Sequence, residues 1–379
     1  MHRPLAEPIP LDREGTDFPP GLREEAMRWI ATPQGDDALA ELLRRAIGRY
    51  PLAELAQAAI ALRAAAPTNR RLWAATDDLV YSQVPGWHWR MLEDRARTRA
   101  YRDAIRASLQ PGMRVLEIGA GTGVLAMMAA EAGADHVWTV EMNPLLASIA
   151  EKCIARNGYA DKITVLNMHS SQVLPGRDLP GRADLLVHEI LCRSVLTEGL
   201  APTLDHARAE LLVPEATLLP DIIGIEVALS SDIAAGDAPW WQVEGLDLSP
   251  LAFLDAAAHG VPGNSRHQRL SLPTEIAEID LKAADLMVSQ SFSGPLFADR
   301  PGLVSGVEQW MKVRFPGGSE LSTDGQSSSW GSCYHPFGAN REVEPGEQVD
   351  IKLSLDIDAL SIGLAAGARA APPGWTGGL

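Results

Sequence analysis

Nine residues, Val115 to Gly123, constrain this chain more than any other stretch. The run VLEIGAGTG is an apolar segment ending in glycines at alternate positions, Gly119, Gly121 and Gly123. It passes directly into VLAMMAAEAGA, whose apolar spacing fits a helix closed by Gly133. A buried strand, a tight glycine turn and a helix N-terminus form a cradle where backbone can approach a ligand closely. Glu141 ends the next apolar run, HVWTVEM, about 20 residues on, where a carboxylate can accept from both hydroxyls of a ribose. Two cofactor classes share this layout. The dinucleotide fingerprint is GxGxxG with Gly or Ala in sixth place, and the sixth residue counted from Gly119 is Val124. The alternative GxGxG spacing is that of S-adenosylmethionine enzymes, whose ligand carries no pyrophosphate, and it is the one expected here. A glycine turn that binds nothing is the third reading, against which strand, glycines, helix and acid all agree.

The chain around this segment falls into parts. Residues 1–86 read as an arm rich in Pro and charge followed by helices: GLREEAMRWIA, DDALAELLRRAIGRY and PLAELAQAAIALRAAAP space their apolar residues by three and four. Residues 87–210 alternate helix and strand. MLEDRARTRAYRDAIRASLQPG reads as one amphipathic helix stopped at Pro111-Gly112, and MRVLEIG, HVWTVEM, KITVLNM and ADLLVHEI read as strands. Such alternation means βαβ units and a parallel sheet. Residues 211–364 carry short alternating stretches such as IIGIEVALS, QWMKVRF and VDIKLSLDID between Pro- and Gly-rich turns, the texture of a β barrel or sandwich. One helical insertion is expected near 247–260, in PLAFLDAAAHG, and 365–379 read as a flexible tail.

Charge narrows the partners. The formal net charge is -16, and between Thr203 and Leu379 there are 24 acidic against 10 basic residues. An acidic half repels phosphate backbones, so no nucleic-acid partner is expected. The 3 cysteines, Cys153, Cys192 and Cys333, have no CxxC spacing and suggest neither a disulfide framework nor a metal site. No segment reaches about 18 uninterrupted apolar residues and no leader pattern opens the chain, so no membrane partner and a cytoplasmic location are expected.

The fourth expected strand runs into HEILCRSVLTEG. Glu189 stands at its carboxyl end, where ligands bind in open α/β sheets, and Glu198 follows nine residues later. A loop that returns on itself would bring both carboxylates to one pocket. Taken in order, MLEDRARTRAYRDAI, VLEIGAGTGVLAMMAAEAGADHVWTVE, NGYADKITVLNMHSSQV, the Glu189–Glu198 loop, LSTDGQSSSWGSCYHPF and VEPGEQVDIKLSLD resemble the protein arginine methyltransferase family, most closely its monomethylating, type III-like branch. The resemblance covers Trp87 to Ile362 and finds no counterpart for the first 86 residues.

The resemblance implies an α/β class I methyltransferase (Rossmann-like) domain with a C-terminal β-barrel, behind the helical N-terminal domain. It implies S-adenosylmethionine as cofactor and an arginine guanidinium as methyl acceptor. Arg97 matches the arginine that pairs with the cofactor carboxylate, with Asp94 and Tyr101 as neighbours on the covering helix; Glu141 matches the ribose-binding acid. Met91 matches the methionine beside the substrate guanidinium, and Glu189 and Glu198 the pair that clamps it. Trp330 matches the tryptophan of a Thr-His-Trp loop. Three positions depart from the pattern. Ser171 stands where many members have an acid for the adenine amine, and Cys192 where the type III branch has Asp. Ser329 replaces the loop histidine, so the partnership of that histidine with an active-site acid is expected to be absent or moved, with His335 a remote candidate. Family members form head-to-tail dimers, which implies a homodimer here.

Guanidinium has a pKa above about 12 and is a poor nucleophile as a delocalised cation. Its planar fork of donors matches carboxylates bidentately. Two glutamates can draw positive charge toward the nitrogens they bind and hold the remaining nitrogen in line with a sulfonium methyl. An Arg- and Ala-rich composition points to a bacterial chain, where arginine-rich protein targets are few. Free L-arginine, as the substrate of a biosynthetic pathway, is therefore expected, an arginine-containing peptide is the alternative, and a non-catalytic scaffold is a third.

Overall fold

The computed structural model describes residues 41, 45, 46, 50–232, 242–244, 246–248, 258–260, 267–284, 286–324, 328–357 and 359–365. The first expected helix, most of the second, the expected insertion over 249–257 and the tail from 366 lie outside these residues. Among the described residues, four complete helices precede the first strand: α1 Leu52–Ala65, α2 Arg70–Gln83, α3 Trp87–Glu93 and α4 Arg95–Ser108. α1 buries Leu55, Ala58, Ala59 and Leu62 in a core of its own with Leu72 of α2. Helix α2 went unrecognised in the sequence because its buried stripe is only Leu72, Thr76 and Leu79, too sparse for an apolar period. Arg63 ties the pair together by donating to Thr76, Asp77 and the carbonyl of Trp73.

The single helix expected over residues 91–110 is two. Asp94 has a non-helical backbone and its carboxylate accepts from the amide of Arg97, three residues on. An aspartate in that place caps a new helix better than it continues an old one. The break ends α3 at Glu93, and His88, Met91 and Leu92 of α3 line a pocket together with the glycine turn.

The parallel strands follow: β1 Arg114–Ile118, β2 His136–Val140, β3 Ile163–Leu166, β4 Ala183–His188 and β5 Leu212–Leu219, with α5 Val124–Ala132, α6 Pro144–Arg156 and α7 Leu200–His206 between them. Their order in the sheet is β3-β2-β1-β4-β5, and every pairing is parallel. The chain moves outward from β1 to β3, then crosses back to β4. The switch point therefore lies between β1 and β4, and the loops carrying Gly119 and Glu189 flank it. Open α/β sheets bind their ligands there. β5 belongs to this sheet, so parallel pairing continues past residue 210, and antiparallel pairing starts with the next strand.

Only Pro220 and Asp221 separate β5 from β6 Ile222–Asp232, the first strand of the second unit. It is followed by β7 Gln242–Val243, β8 Leu246–Asp247, β9 His259–Gly260, β10 His267–Arg269, β11 Thr274–Asp280, β12 Gln290–Phe297, β13 Gly302–Arg314, β14 Glu320–Ser322, β15 Cys333–Val343, β16 Gln348–Asp356 and β17 Ala359–Leu364. Among the described residues the long strands form two antiparallel sheets, β10-β6-β13-β15-β9 and β12-β16-β17, with β11 and β14 added to the first. β16 alternates strictly, burying Val349, Ile351, Leu353 and Leu355. Central β13 is buried on both faces over most of its length, which is why its polar residues Glu308 and Gln309 are also inside. One continuous apolar core joins both units. No helix among the described residues is long and apolar enough to cross a membrane.

Candidate active site

The glycine turn is built for close approach. Gly121 has φ +54, and a Cβ there would meet nothing within 4 Å, so the position opens onto a pocket. Gly123, at φ +77, is a packing glycine instead, since a Cβ would come within 3.1 Å of Ile154. The pocket behind the turn is lined by Gly119, Ala120, Gly121 and Thr122 on one side and by His88, Met91 and Leu92 of α3 on the other. Arg97, Glu117 and Glu189 form its charged floor.

Glu141, at the end of β2, accepts from the amides of Gly121 at 2.9 Å and Asn143 at 2.8 Å. Each carboxylate oxygen keeps a lone pair for a further donor. Burial raises the Glu141 pKa against those two amides. Glu117 is a carboxyl in the middle of apolar β1. Burial pushes it up to about 8, Thr139 donates to one oxygen, and Oε1 has no hydrogen-bond partner. A buried carboxyl oxygen left open on a pocket wall fits a ligand that brings a polar group to it. Open glycine, ribose-type acid and unsatisfied carboxyl together fit S-adenosylmethionine.

Arg97 and Glu189 form the centre of the site. Arg97 Nε donates to Glu189 Oε1 at 3.0 Å and Nη2 lies 2.7 Å from Oε2, both side chains 4% exposed. Burial pushes Glu189 up to about 7 despite Arg97, and the charges of Glu198 and Asp94 add to the rise. Arg97 also donates weakly to the Met91 carbonyl, at 3.4 Å. Its guanidinium lies 5.8 Å from the ring centre of Trp330.

The segment after Glu189 does turn back on itself. Val195 donates to the Cys192 carbonyl at 2.9 Å, and Cys192 Sγ meets Thr197 Oγ1 at 2.8 Å. The result is a short hairpin with Arg193 and Ser194 at its tip and a glutamate at each end. Val195 takes φ 65 to close it, a left-handed conformation unusual for a β-branched residue. Glu198 is exposed, and partial burial still raises its pKa. Trp330 fastens the hairpin to the second unit through its indole N–H, which donates to the Leu191 carbonyl at 2.8 Å.

Three sequence expectations change. The tie between the Trp330 loop and an active-site acid is present: Asp94 Oδ2 accepts from the Ser329 amide at 2.8 Å and from its hydroxyl at 3.1 Å. A hydroxyl reaches the acid as a histidine would, but offers no titrating group. His335 is buried in β15, opposite Val307 of β13. Tyr101 is fully buried, and its hydroxyl donates to the His188 carbonyl at 3.1 Å. It braces the end of β4 from behind instead of reaching the pocket. Ser171 is exposed, its hydroxyl engaged with the His169 ring at 2.8 Å. Glu117 and His88 went unrecognised. A lone acid inside RVLEI was the available signal for the first, and the break at Asp94, which ends α3, hid the second. No group of three His, Cys, Asp or Glu among the described residues could hold a metal.

Comparison with known proteins agrees with this geometry. Residues 97–212 match the model of the ribosomal protein L11 methyltransferase (PrmA) family. An arginine N(omega)-methyltransferase of Streptomyces achromogenes subsp. streptozoticus is 34% identical over 305 residues, 79% of this chain and 84% of that protein. Protein arginine N-methyltransferase 1 of Saccharomyces cerevisiae is 30% identical over 284 residues, 71% of this chain and 80% of the relative. Among solved structures, the Trypanosoma brucei PRMT1 enzyme-prozyme heterotetrameric complex with AdoHcy superposes with a TM-score of 0.64 at 25% identity, over 73% of this chain and 91% of that one. Two relatives at 30% identity or more, each spanned over at least four fifths of its length, decide the matter: the chain belongs to the protein arginine methyltransferase family.

Proposed function

We propose that this S-adenosylmethionine-dependent arginine N-methyltransferase acts on the ω-nitrogen of free L-arginine, with Glu189 and Glu198 as the guanidinium clamp. The observation that carries the reading is the hairpin itself, which sets two carboxylates at its two ends, beside the switch point of the sheet. A guanidinium already sits bidentate on Glu189, that of Arg97, so this carboxylate is oriented to accept the planar fork. The choice of the free amino acid is supported by the Streptomyces relative, whose name specifies arginine and not protein arginine.

S-adenosylmethionine supplies a methyl group on a sulfonium, with a neutral thioether as leaving group. Gly119, Gly121 and Glu141 hold its nucleoside end. Arg97 offers five donors, of which two serve Glu189 and one the Met91 carbonyl. Its remaining donors take the cofactor carboxylate. Glu189 and Glu198 draw charge toward two substrate nitrogens and hold the third in line, with Met91 and Trp330 limiting its travel. The nitrogen lone pair forms the new N–C bond as the S–C bond breaks. One proton is then lost, because the methylated guanidine remains a cation. Ser329 is not its acceptor, being a neutral hydroxyl donating to Asp94.

Mass spectrometry of free L-arginine and of an arginine-containing peptide, each incubated with enzyme and S-adenosylmethionine, tests the reading. A methyl gain on the amino acid is expected. Methylation confined to the peptide would overturn it. The same reading includes a homodimer, to be checked by sedimentation at micromolar concentration.

A further inference from the structure

A loop made to attract a cation carries a cation of its own. Arg193 lies four residues after Glu189 and five before Glu198, at the exposed tip of the hairpin. Among the described residues it has no carboxylate within ion-pair distance, unlike Arg63, Arg97, Arg114, Arg269 and Arg314. Its guanidinium lies beside the thiol of Cys333 instead. A thiol is a weak acceptor, and burial pushes this one up to about 11, so it stays neutral and leaves the charge of Arg193 uncompensated.

The placement is fixed from both sides. The Cys192–Val195 turn holds the tip, and the Trp330 bond to Leu191 holds the hairpin against the barrel, where Cys333 lies three residues beyond Trp330. Gln309 stands directly opposite Cys333 in the sheet. It is fully buried, with neither amide oxygen nor amide nitrogen hydrogen-bonded. Buried polar groups are almost always paired, so this stretch of barrel wall has unused polar capacity beside an uncompensated cation. Beside the clamp, a positive charge repels a guanidinium and lowers affinity for any purely cationic substrate. The penalty reverses for a substrate that carries an anion at its other end.

We infer that Arg193 binds the α-carboxylate of the substrate, making the clamp hairpin a reader of both ends of a free amino acid. Glutamates at its base take the guanidinium, and the arginine at its tip takes the carboxylate. A peptidyl arginine has an amide there and receives only the repulsion. The inference rests on the free-arginine reading and gives it a specificity residue.

The test compares L-arginine with agmatine, the same guanidine without the carboxylate, by steady-state kinetics. The unmodified enzyme is expected to favour L-arginine in kcat/KM by about tenfold to a hundredfold, the range for a charge-assisted hydrogen bond. Arg193→Ala is expected to raise KM for L-arginine by that factor at nearly constant kcat, bringing the ratio near one, while Arg193→Lys recovers part of it. Arg156→Ala, an exposed position on α6, should leave both substrates unchanged. A ratio unaltered by Arg193→Ala overturns this subsite alone. Methylation of a peptide but of neither small guanidine overturns the free-arginine reading and the subsite with it.

Discussion

The ion pair between Arg97 and Glu189 makes two glutamates of similar sequence context unlike each other. Glu198 is exposed and accepts no hydrogen bond from the described residues, so Glu198→Gln isolates its contribution to the proposed clamp. Turnover should fall by about 10²–10³-fold, with the cofactor affinity measured by calorimetry within a few-fold of the original. Glu189→Gln should lose as much activity while moving Tm near pH 7 little, because the neutral amide stands in for a carboxyl that burial already pushes up to about 7. The Glu189 pKa of about 7 has a second consequence. Only the ionised clamp draws charge from a guanidinium, so kcat/KM should rise with pH through about 7. Stability runs the other way. A carboxyl with a raised folded pKa binds more protons when folded, so its contribution is present below about 4.5 and is lost as pH rises toward 7. Activity and Tm measured across pH 5 to 8 should therefore diverge.

Asp94 shows how one side chain joins elements. It caps α4, and it holds the loop that carries Trp330. Asp94→Ala should lose about 1 kcal/mol of capping and release the loop, lowering Tm and kcat/KM together. Ser329→Ala should be milder, because the backbone amide still bonds Asp94; equal effects from both variants would show that the cap alone matters. Elements of this kind also mark how far the sequence could be read. Strong periodicity places four of the five strands of the parallel sheet, and α5, within a few residues, while β5 falls beyond the expected boundary at residue 210. The split at Asp94 was not visible, because the apolar period runs through it and only the capping geometry interrupts it. Helix α2 was missed for the opposite reason, since Arg63 and Thr76 supply by hydrogen bonding what apolar spacing usually supplies. At the site, the motif residues come together, whereas Tyr101 and Ser171 do not line the pocket. Sequence position placed them near it, but direction depends on the turn of one helix and one loop.

For the molecule as a whole, the excess of acid in the second half is partly neutralised in place, by Lys312 on Glu226, Arg314 on Glu275 and Arg269 on Glu308 and Asp324. The remainder is a long-range field. Raising the salt from about 0.01 to 1 M shortens the screening length from about 30 to 3 Å. It should lower kcat/KM for a cationic substrate several-fold while leaving kcat unchanged. The N-terminal helices act at shorter range. α1 and α2 share a core with Leu145 and Leu146 of α6, and Asn143, which donates to Glu141, also donates to the carbonyl of Gln83 at 2.6 Å. They brace the Glu141 side of the pocket from outside.

The strand that closes the parallel sheet and the strand that opens the barrel are separated by Pro220 and Asp221 alone, and Asp221 is itself fixed by its amide to the Arg314 carbonyl and by Lys282. Two domains on a long linker could be cloned apart, swapped between relatives or tilted against each other. Two strands in series cannot. Any graft between family members would have to cut inside a hydrogen-bonded ladder, so the two walls of this cleft are inherited as one piece.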